Sequence, residues 1–335
     1  MFNTQQMKEI NYKAFVTKES DSGFINSIEE LSTSNLKGND LVIKVSYSSL
    51  NYKDALSASG NRGVTREYPH TPGIDAVGEV VESNSSEFEV GEKIVVTGYD
   101  LGMNTSGGFG QYISIPANWA ISLPKDLSGA EAMSIGTAGL TAGLCVRKLL
   151  MNDLSPDSGD ILVTGASGGV GSVAVMILSK LGFKVTALTG KTDQIDYLKS
   201  LGASSVIMRS EMEELGKPLQ KGIYQGGVDT VGGSILSNFI SQTSQRGVIT
   251  CCGNVASDKL QTSVFPFILR GVALIGIDSA ESLLEVKKEI WNNFSSNWQL
   301  DLAKITKEVH LESLSDEIGK ILEGNQVGRV RVNLG

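Results

Sequence analysis

Between residues 12 and 120, apolar and polar positions alternate in short runs that stop at turn residues. This is the period-two pattern of strands with one buried face. Leu41–Tyr47 alternates before a loop, and Ala76–Val81 and Lys93–Thr97 are β-rich segments bounded by Gly. Helical spacing is scarce here, so the stretch predicts a β-rich, barrel-like unit. The rhythm changes at Ser128-Gly-Ala-Glu131. Ser and Glu three apart form a capping box, which predicts a helical stretch through about Leu150.

From Asp160 the order becomes strand, turn, helix, strand. Ile161–Thr164 is a short apolar strand, and Val170, Val173, Ala174, Ile177, Leu178 and Leu181 then follow the spacing of one helix face. Gly182 stands where a helix C-cap glycine belongs. Lys184–Leu188 predicts the next strand, Asp193–Leu201 a helix, and Ser205–Met208 a third strand. Strands alternating with short helices predict βαβ units and a parallel sheet. Val228–Val231, Val248–Cys252 and Ala273–Ile277 continue it; helices near Ser282–Phe294 and Ser315–Leu322 and a strand at Val330–Asn333 close the chain.

Composition narrows the function. The 335 residues carry a formal charge of −8 with no basic run, which argues against nucleic acid or an anionic membrane as main partner. Three cysteines and two histidines have no spacing that suits a zinc ribbon or a disulfide framework, and such cysteine usage fits a reducing cytoplasm. Met1–Asn11 is too polar for a signal peptide, and the uncharged run Ile161–Ser179 holds four glycines and switches period, unlike a membrane span. Glycine is abundant, at 38 residues, so tight turns or close backbone approaches are expected.

Gly165-Ala-Ser-Gly168-Gly169-Val-Gly171, between a strand and an amphipathic helix, is the sharpest local signal. Such a turn lets backbone approach a pyrophosphate and meets its charge with a helix N-terminus. A structural turn is the alternative. The second strand ends in Thr189-Gly190-Lys191, with no acid to accept from a ribose 2′-OH. A hydroxyl, an open N–H and an ammonium suit a 2′-phosphate instead, with Arg209 as a second cation, so the pattern points to NADPH. A solvated turn lysine is the bland reading of Lys191. Tyr52, in the loop Asn51-Tyr-Lys-Asp54, is a candidate to orient a nicotinamide or donate a proton; a buried, hydrogen-bonded tyrosine is its alternative.

Leu50-Asn-Tyr-Lys-Asp-Ala-Leu56, Pro72-Gly-Ile-Asp-Ala-Val-Gly78 and Gly136-Thr-Ala-Gly-Leu-Thr-Ala142 precede that turn. Tyr197-Leu-Lys-Ser-Leu-Gly-Ala203, Asp229-Thr-Val-Gly-Gly233 and Pro266-Phe-Ile-Leu-Arg270 through Gly276-Ile-Asp-Ser279 follow it. In that order, from about Tyr12 to Asn333, the chain closely resembles the acrylyl-CoA reductase / quinone oxidoreductase branch of the zinc-independent medium-chain dehydrogenase/reductase superfamily. The first eleven residues lie outside the match and are expected to be a disordered leader.

The resemblance implies an α/β chain with a GroES-like β-rich catalytic domain, residues 1–130 and 280–335. Into it is inserted a Rossmann doubly wound parallel-sheet domain, residues 131–279, that binds NADPH. The active site would lie in the cleft, and the protein would be a homodimer. The resemblance sets Tyr52 by the nicotinamide, Ser167, Gly168, Gly169 and Val170 at the pyrophosphate, and Thr189, Gly190, Lys191 and Arg209 around the 2′-phosphate. Asn254, Ile268, Ser279 and Arg329 look like further cofactor contacts. Zinc-dependent relatives carry ligands near Asn51 and Ile74-Asp75; Asn51 and Ile74 cannot ligate zinc, so metal-free chemistry is implied.

The expected reaction is hydride transfer from NADPH to Cβ of an activated alkene, most specifically acrylyl-CoA. Tyr52 would orient or protonate, Asn51 and backbone N–H groups would assist at the thioester oxygen, and Arg62, Arg66 and Arg270 are candidates for CoA phosphates. Quinone reduction is the rival within enzymes, and a non-catalytic NADPH-binding sensor the rival from another class.

Overall fold

Alternating apolar residues give the first part of the chain its strands. The computed structural model describes residues 9–36 and 38–335. In it β1 (Asn11–Ser20) and β2 (Gly23–Ser32) form an antiparallel hairpin. Asn11 thus opens a strand, and residues 1–8 of the expected leader lie outside the described residues. Next come β3 (Leu41–Leu50), α1 (Tyr52–Ala58), β4 (Asp75–Ser83), β5 (Lys93–Thr97), β6 (Tyr112–Ile115) and β7 (Ile121–Ser122). The segment Asn51-Tyr-Lys-Asp54, read from sequence as a loop, is instead the N-cap and first turn of α1. Asn51 is extended, and its backbone N–H donates to the Asp54 carboxylate at 2.7 Å.

The Ser128–Glu131 capping box is present, with Glu131 N–H donating to Ser128 Oγ at 3.2 Å and Ser128 N–H to Glu131 Oε2 at 2.9 Å. It opens α2 (Gly129–Met151), which is not the single helix expected: the backbone breaks at Gly136, with φ 51° and ψ −160°.

Then follow β8 (Ile161–Thr164), α3 (Gly169–Lys180), β9 (Val185–Thr189), α4 (Ile195–Ser200), β10 (Ser205–Met208), β11 (Tyr224–Asp229), α5 (Gly233–Gln242), β12 (Thr243–Cys251), α6 (Phe265–Arg270) and β13 (Ala273–Gly276). The helix expected over Asp193–Leu201 divides into a 3₁₀ turn at Thr192–Gln194 and the short α4. The uncharged run Ile161–Ser179 resolves into β8, the glycine turn and α3, and among the described residues no helix is long and apolar enough to cross a membrane. The chain closes with α7 (Leu284–Ser295), β14 (Thr306–His310), α8 (Leu314–Leu322) and β15 (Arg329–Asn333).

Two compact units result. One holds the chain up to Thr137 and again from Ala280 to Gly335; the other is Ala138–Ser279. The first is built on a seven-stranded sheet in the order β14-β15-β3-β4-β5-β7, with β6 also on β3. Its core includes Phe15, Leu41, Ile43, Leu50, Phe109 and Leu314, each at most 1% exposed. The second is a six-stranded, wholly parallel sheet in the order β10-β9-β8-β11-β12-β13. Counted within the unit that is 3-2-1-4-5-6, the doubly wound order whose ligand crevice opens at the carboxyl ends of the strands where the winding reverses.

Candidate active site

The first unit gathers polar side chains where an apolar core would be expected. β3 carries Ser49 just before its last residue, Leu50, and leads to Asn51; α1 supplies Asp54, β4 begins with Asp75, β15 begins with Arg329, and the break at Gly136 delivers Thr137. Asp75 accepts four hydrogen bonds: from Ser49 Oγ at 2.5 Å, Asn51 Nδ2 at 2.8 Å, Thr137 N–H at 2.8 Å and Thr137 Oγ1 at 2.5 Å. Arg329 donates to Ser49 Oγ at 2.8 Å, to Asn51 Oδ1 at 3.2 Å, and to the Ser134 carbonyl at 3.1 Å. Ser49 and Asn51 therefore relay the guanidinium to the carboxylate.

Asp54 lies beside this relay, accepting from Ile74 N–H at 2.7 Å and Asn51 Nδ2 at 3.2 Å. Burial, reinforced by the neighbouring Asp75 charge, pushes the Asp54 carboxyl up to about 7 against the pull of these donors. Gly136 has to be glycine: its φ is left-handed, and a Cβ there would lie 2.3 Å from Ser49 Oγ and 2.7 Å from Asp75 Oδ2.

Several residues read from sequence change role. Arg329 is 1% exposed and all three guanidinium nitrogens bond protein groups, so it has no surface for a cofactor. Asn51 is buried with both ends of its amide engaged, so it is a positioning residue and does not aim at a substrate oxygen. Tyr52 is 45% exposed at the first position of α1, and among the described residues its hydroxyl has no protein partner; the buried-tyrosine alternative fails. Arg62 is bound to Glu19 and the Arg66 carbonyl, under the rings of Phe24 and Tyr68. Arg270 donates to the carbonyls of Ser241, Thr243 and Gln220, tying α6 to β12. Arg270 thus spends both Nη groups on main-chain carbonyls, whereas Arg62 and Arg66 are exposed.

The glycine-rich turn lies in the second unit. After β8 the chain turns at Gly165, whose φ is +59°, and enters α3 through Gly168, an extended N-cap with no side-chain cap. A Cβ on Gly171 would meet the Gly165 carbonyl oxygen at 2.3 Å, so turn and helix pack backbone to backbone. With Gly168 offering no capping oxygen, the first N–H groups of α3, those of Gly169 and Val170, have no side-chain cap.

At the end of β9, Thr189 Oγ1 lies 3.0 Å from Ser167 Oγ and accepts the Lys191 N–H at 3.1 Å. The Arg209 stem passes over Gly190, its Cδ 3.7 Å from where a Cβ would be. Ser167, Thr189, Gly190, Lys191 and Arg209 therefore converge. Asn254 is exposed just beyond β12, Ile268 stands 69% exposed on α6, and Ser279 accepts from Thr141 Oγ1 at 2.8 Å.

Sequence reasoning missed Ser49, Asp54, Asp75 and Thr137 as site residues. The signal was there for the two acids, set inside apolar segments where a carboxylate needs a reason. It also missed Asp229, fully buried at the end of β11, which accepts from Thr164 Oγ1 at 2.7 Å and Gly232 N–H at 2.9 Å and so fixes the β11–α5 turn. Among the described residues no three His, Cys, Asp or Glu side chains converge as a metal site.

Residues 37–125 match the family model described as "Alcohol dehydrogenase GroES-like domain", and residues 169–296 the one described as "Zinc-binding dehydrogenase". The chain is 39% identical to acrylyl-CoA reductase AcuI of Ruegeria pomeroyi over 324 residues, 95% of this chain and 98% of the relative. The crystal structure of Escherichia coli K-12 YhdH with bound NADPH superposes with a TM-score of 0.93 at 37% identity, covering 96% of this chain and 100% of that one. Bacillus subtilis yhfP with NAD bound gives 0.94 at 41% identity, covering 97% and 100%.

Proposed function

The chain belongs to the medium-chain dehydrogenase/reductase superfamily, in its acrylyl-CoA reductase / quinone oxidoreductase branch, and on that premise we propose that it is an NADPH-dependent, metal-independent reductase of activated alkenes with acrylyl-CoA as preferred substrate. The observation that carries this is the pairing of features in one chain. One unit carries a glycine turn and hydroxyl-cation cluster shaped for a phosphorylated dinucleotide, and the other a buried polar network next to a half-exposed tyrosine.

NADPH fits the residues present. The uncapped start of α3 at Gly168, Gly169 and Val170 would hold its pyrophosphate, and Thr189, Gly190, Lys191 and Arg209 its 2′-phosphate. Bound there, it supplies the hydride. The chain's own task is then to meet negative charge at the thioester oxygen and to let a proton reach Cα. Tyr52 is the candidate catalytic residue, because its phenol is open and carries an O–H that can donate. Asn51, held by Asp75 and Arg329, fixes the start of α1 and with it the direction of Tyr52. The test is NADPH consumption by the unmodified chain on addition of acrylyl-CoA: steady turnover is expected, and an NADPH-binding protein that turns over nothing would support the sensor reading.

Tyr52→Phe separates two roles for the phenol. A purely orienting hydroxyl predicts a loss of a few-fold in kcat, whereas a sole proton donor predicts roughly 10²–10⁴-fold. We expect the smaller loss, since an exposed phenol shares its site with water. The NADPH dissociation constant measured alongside reports any misplacement of the cofactor, and full rate with full affinity would remove the hydroxyl from the mechanism.

The homodimer belongs to the same proposal. Among the described residues β13 is the last strand of its sheet, with no strand on its outer edge, and Val264, Phe265, Ile268 and Leu269 stand exposed on and just before the adjoining α6. A free edge beside apolar side chains favours a second copy. Sedimentation velocity at micromolar concentration is expected to show one species of twice 35.6 kDa; a monomer would contradict the pairing. The cytoplasm suits the chain, whose three cysteines are all free thiols.

A further inference from the structure

The cation cluster at the end of β9 is not as positive as its lysine and arginine suggest. Arg209 Nε donates to Glu213 Oε1 at 2.7 Å, an i,i+4 ion pair in which both side chains are 46% exposed. Lys191 is half-buried, which pulls its ammonium below the usual lysine range, and the Asp193 carboxylate pulls the other way. Arg209 thus has its own carboxylate in Glu213, and Asp193 acts on Lys191, so acids offset both cations beside Gly190. The Nη groups of Arg209 carry no protein hydrogen bond among the described residues, so the guanidinium keeps donors for a ligand while Glu213 holds it at Nε.

We infer that Glu213 is a specificity-determining residue, which restrains the chain's preference for NADPH over NADH by placing a negative charge against Arg209 beside the 2′-phosphate. This rests on the reading that Thr189–Lys191 and Arg209 receive that phosphate. A 2′-phosphate carries close to two negative charges, and a 2′-hydroxyl none. A carboxylate bonded to Arg209 at Nε, the nitrogen that also faces Gly190, therefore repels NADPH and is nearly invisible to NADH. The pair is exposed, so its own contribution to stability is small. Its field on a dianion a few ångströms farther on is still felt across water at moderate ionic strength.

Glu213→Gln is the discriminating substitution, because the amide keeps an oxygen to accept from Arg209 Nε and removes only the charge. Titrations of purified protein with NADPH and with NADH are expected to show NADPH binding about three- to tenfold tighter in Glu213→Gln. NADH affinity should stay within about twofold, and the NADPH gain should shrink as salt is raised. In the double variant Glu213→Gln/Arg209→Ala the gain should vanish, since it acts through Arg209. If Arg209→Ala weakens NADPH binding while Glu213→Gln leaves it unchanged or weaker, Glu213 only positions the arginine and the inference is overturned. If neither Arg209→Ala nor Lys191→Ala alters NADPH affinity, the phosphate does not bind there and the cofactor reading itself fails. Melting temperatures measured in parallel show whether each variant is folded, as expected for side chains this exposed.

Discussion

Arg329→Leu is expected to destabilise the first unit by about 3–5 kcal/mol, the usual result of removing one partner from a buried charge network. Arg329 is the cation of a site holding two buried carboxylates, Asp54 and Asp75, and it reaches Asp75 through Ser49 and Asn51. Leucine fills much of the volume but leaves the Ser134 carbonyl without its guanidinium donor and the carboxylates without a counter-charge. For a unit of this size the loss corresponds to roughly 6–20 °C in Tm. Its pH dependence identifies the cause. A carboxyl raised from its ordinary value, as Asp54 is to about 7, binds a proton more readily folded than unfolded. The charged form therefore costs stability progressively from about pH 4 upward, and the full cost is reached above pH 7. Without Arg329 that cost grows, so the gap between variant and parent should be wider at pH 8 than at pH 5.5. A gap independent of pH would mean that packing, not charge, had been lost.

Gly171→Ala is expected to weaken NADPH binding by at least about a hundredfold, because a displacement near 1 Å in a positioned site costs on that order. The added Cβ would lie 2.3 Å from the Gly165 carbonyl oxygen and 2.7 Å from Ala166 Cα, both main-chain atoms that cannot rotate away. Either the turn or the start of α3 has to move, and those are the elements that would hold the pyrophosphate. Gly319→Ala is the matched control: it sits in α8 with nothing within 4 Å of its Cβ position, and should bind NADPH as the parent does. Unchanged affinity in Gly171→Ala, with the variant folded, would move the pyrophosphate elsewhere.

The second unit was the more legible half in the sequence. β8, the glycine turn, α3 and β9 follow one another within thirty residues, and apolar spacing alone separates them. α5 went unread although Ile235, Leu236, Phe239 and Ile240 mark a buried helix face, because Gly and Ser around them read as loop. The network in the first unit was opaque for a different reason. Asp75 and Arg329 lie at the starts of β4 and β15, which meet only because both strands flank β3. No local period reports such a meeting. Arg329 was accordingly assigned outward to a cofactor, and Asn51 to a substrate oxygen, when each is turned inward to bond the other. The exposure of Tyr52 comes from the cap of α1, which depends on Asp54 reaching back three residues and which the apolar spacing does not announce.

The most direct test of the reductase assignment is NADPH oxidation by the purified chain under exhaustive chelation, with acrylyl-CoA, crotonyl-CoA and a benzoquinone measured side by side. Turnover should survive the chelator, and kcat/KM for acrylyl-CoA should exceed that for the quinone by at least tenfold, a difference of about 1.4 kcal/mol in transition-state stabilisation. A quinone turned over as well as or better than acrylyl-CoA, or activity lost with the metal, would contradict a metal-independent enoyl-thioester reductase.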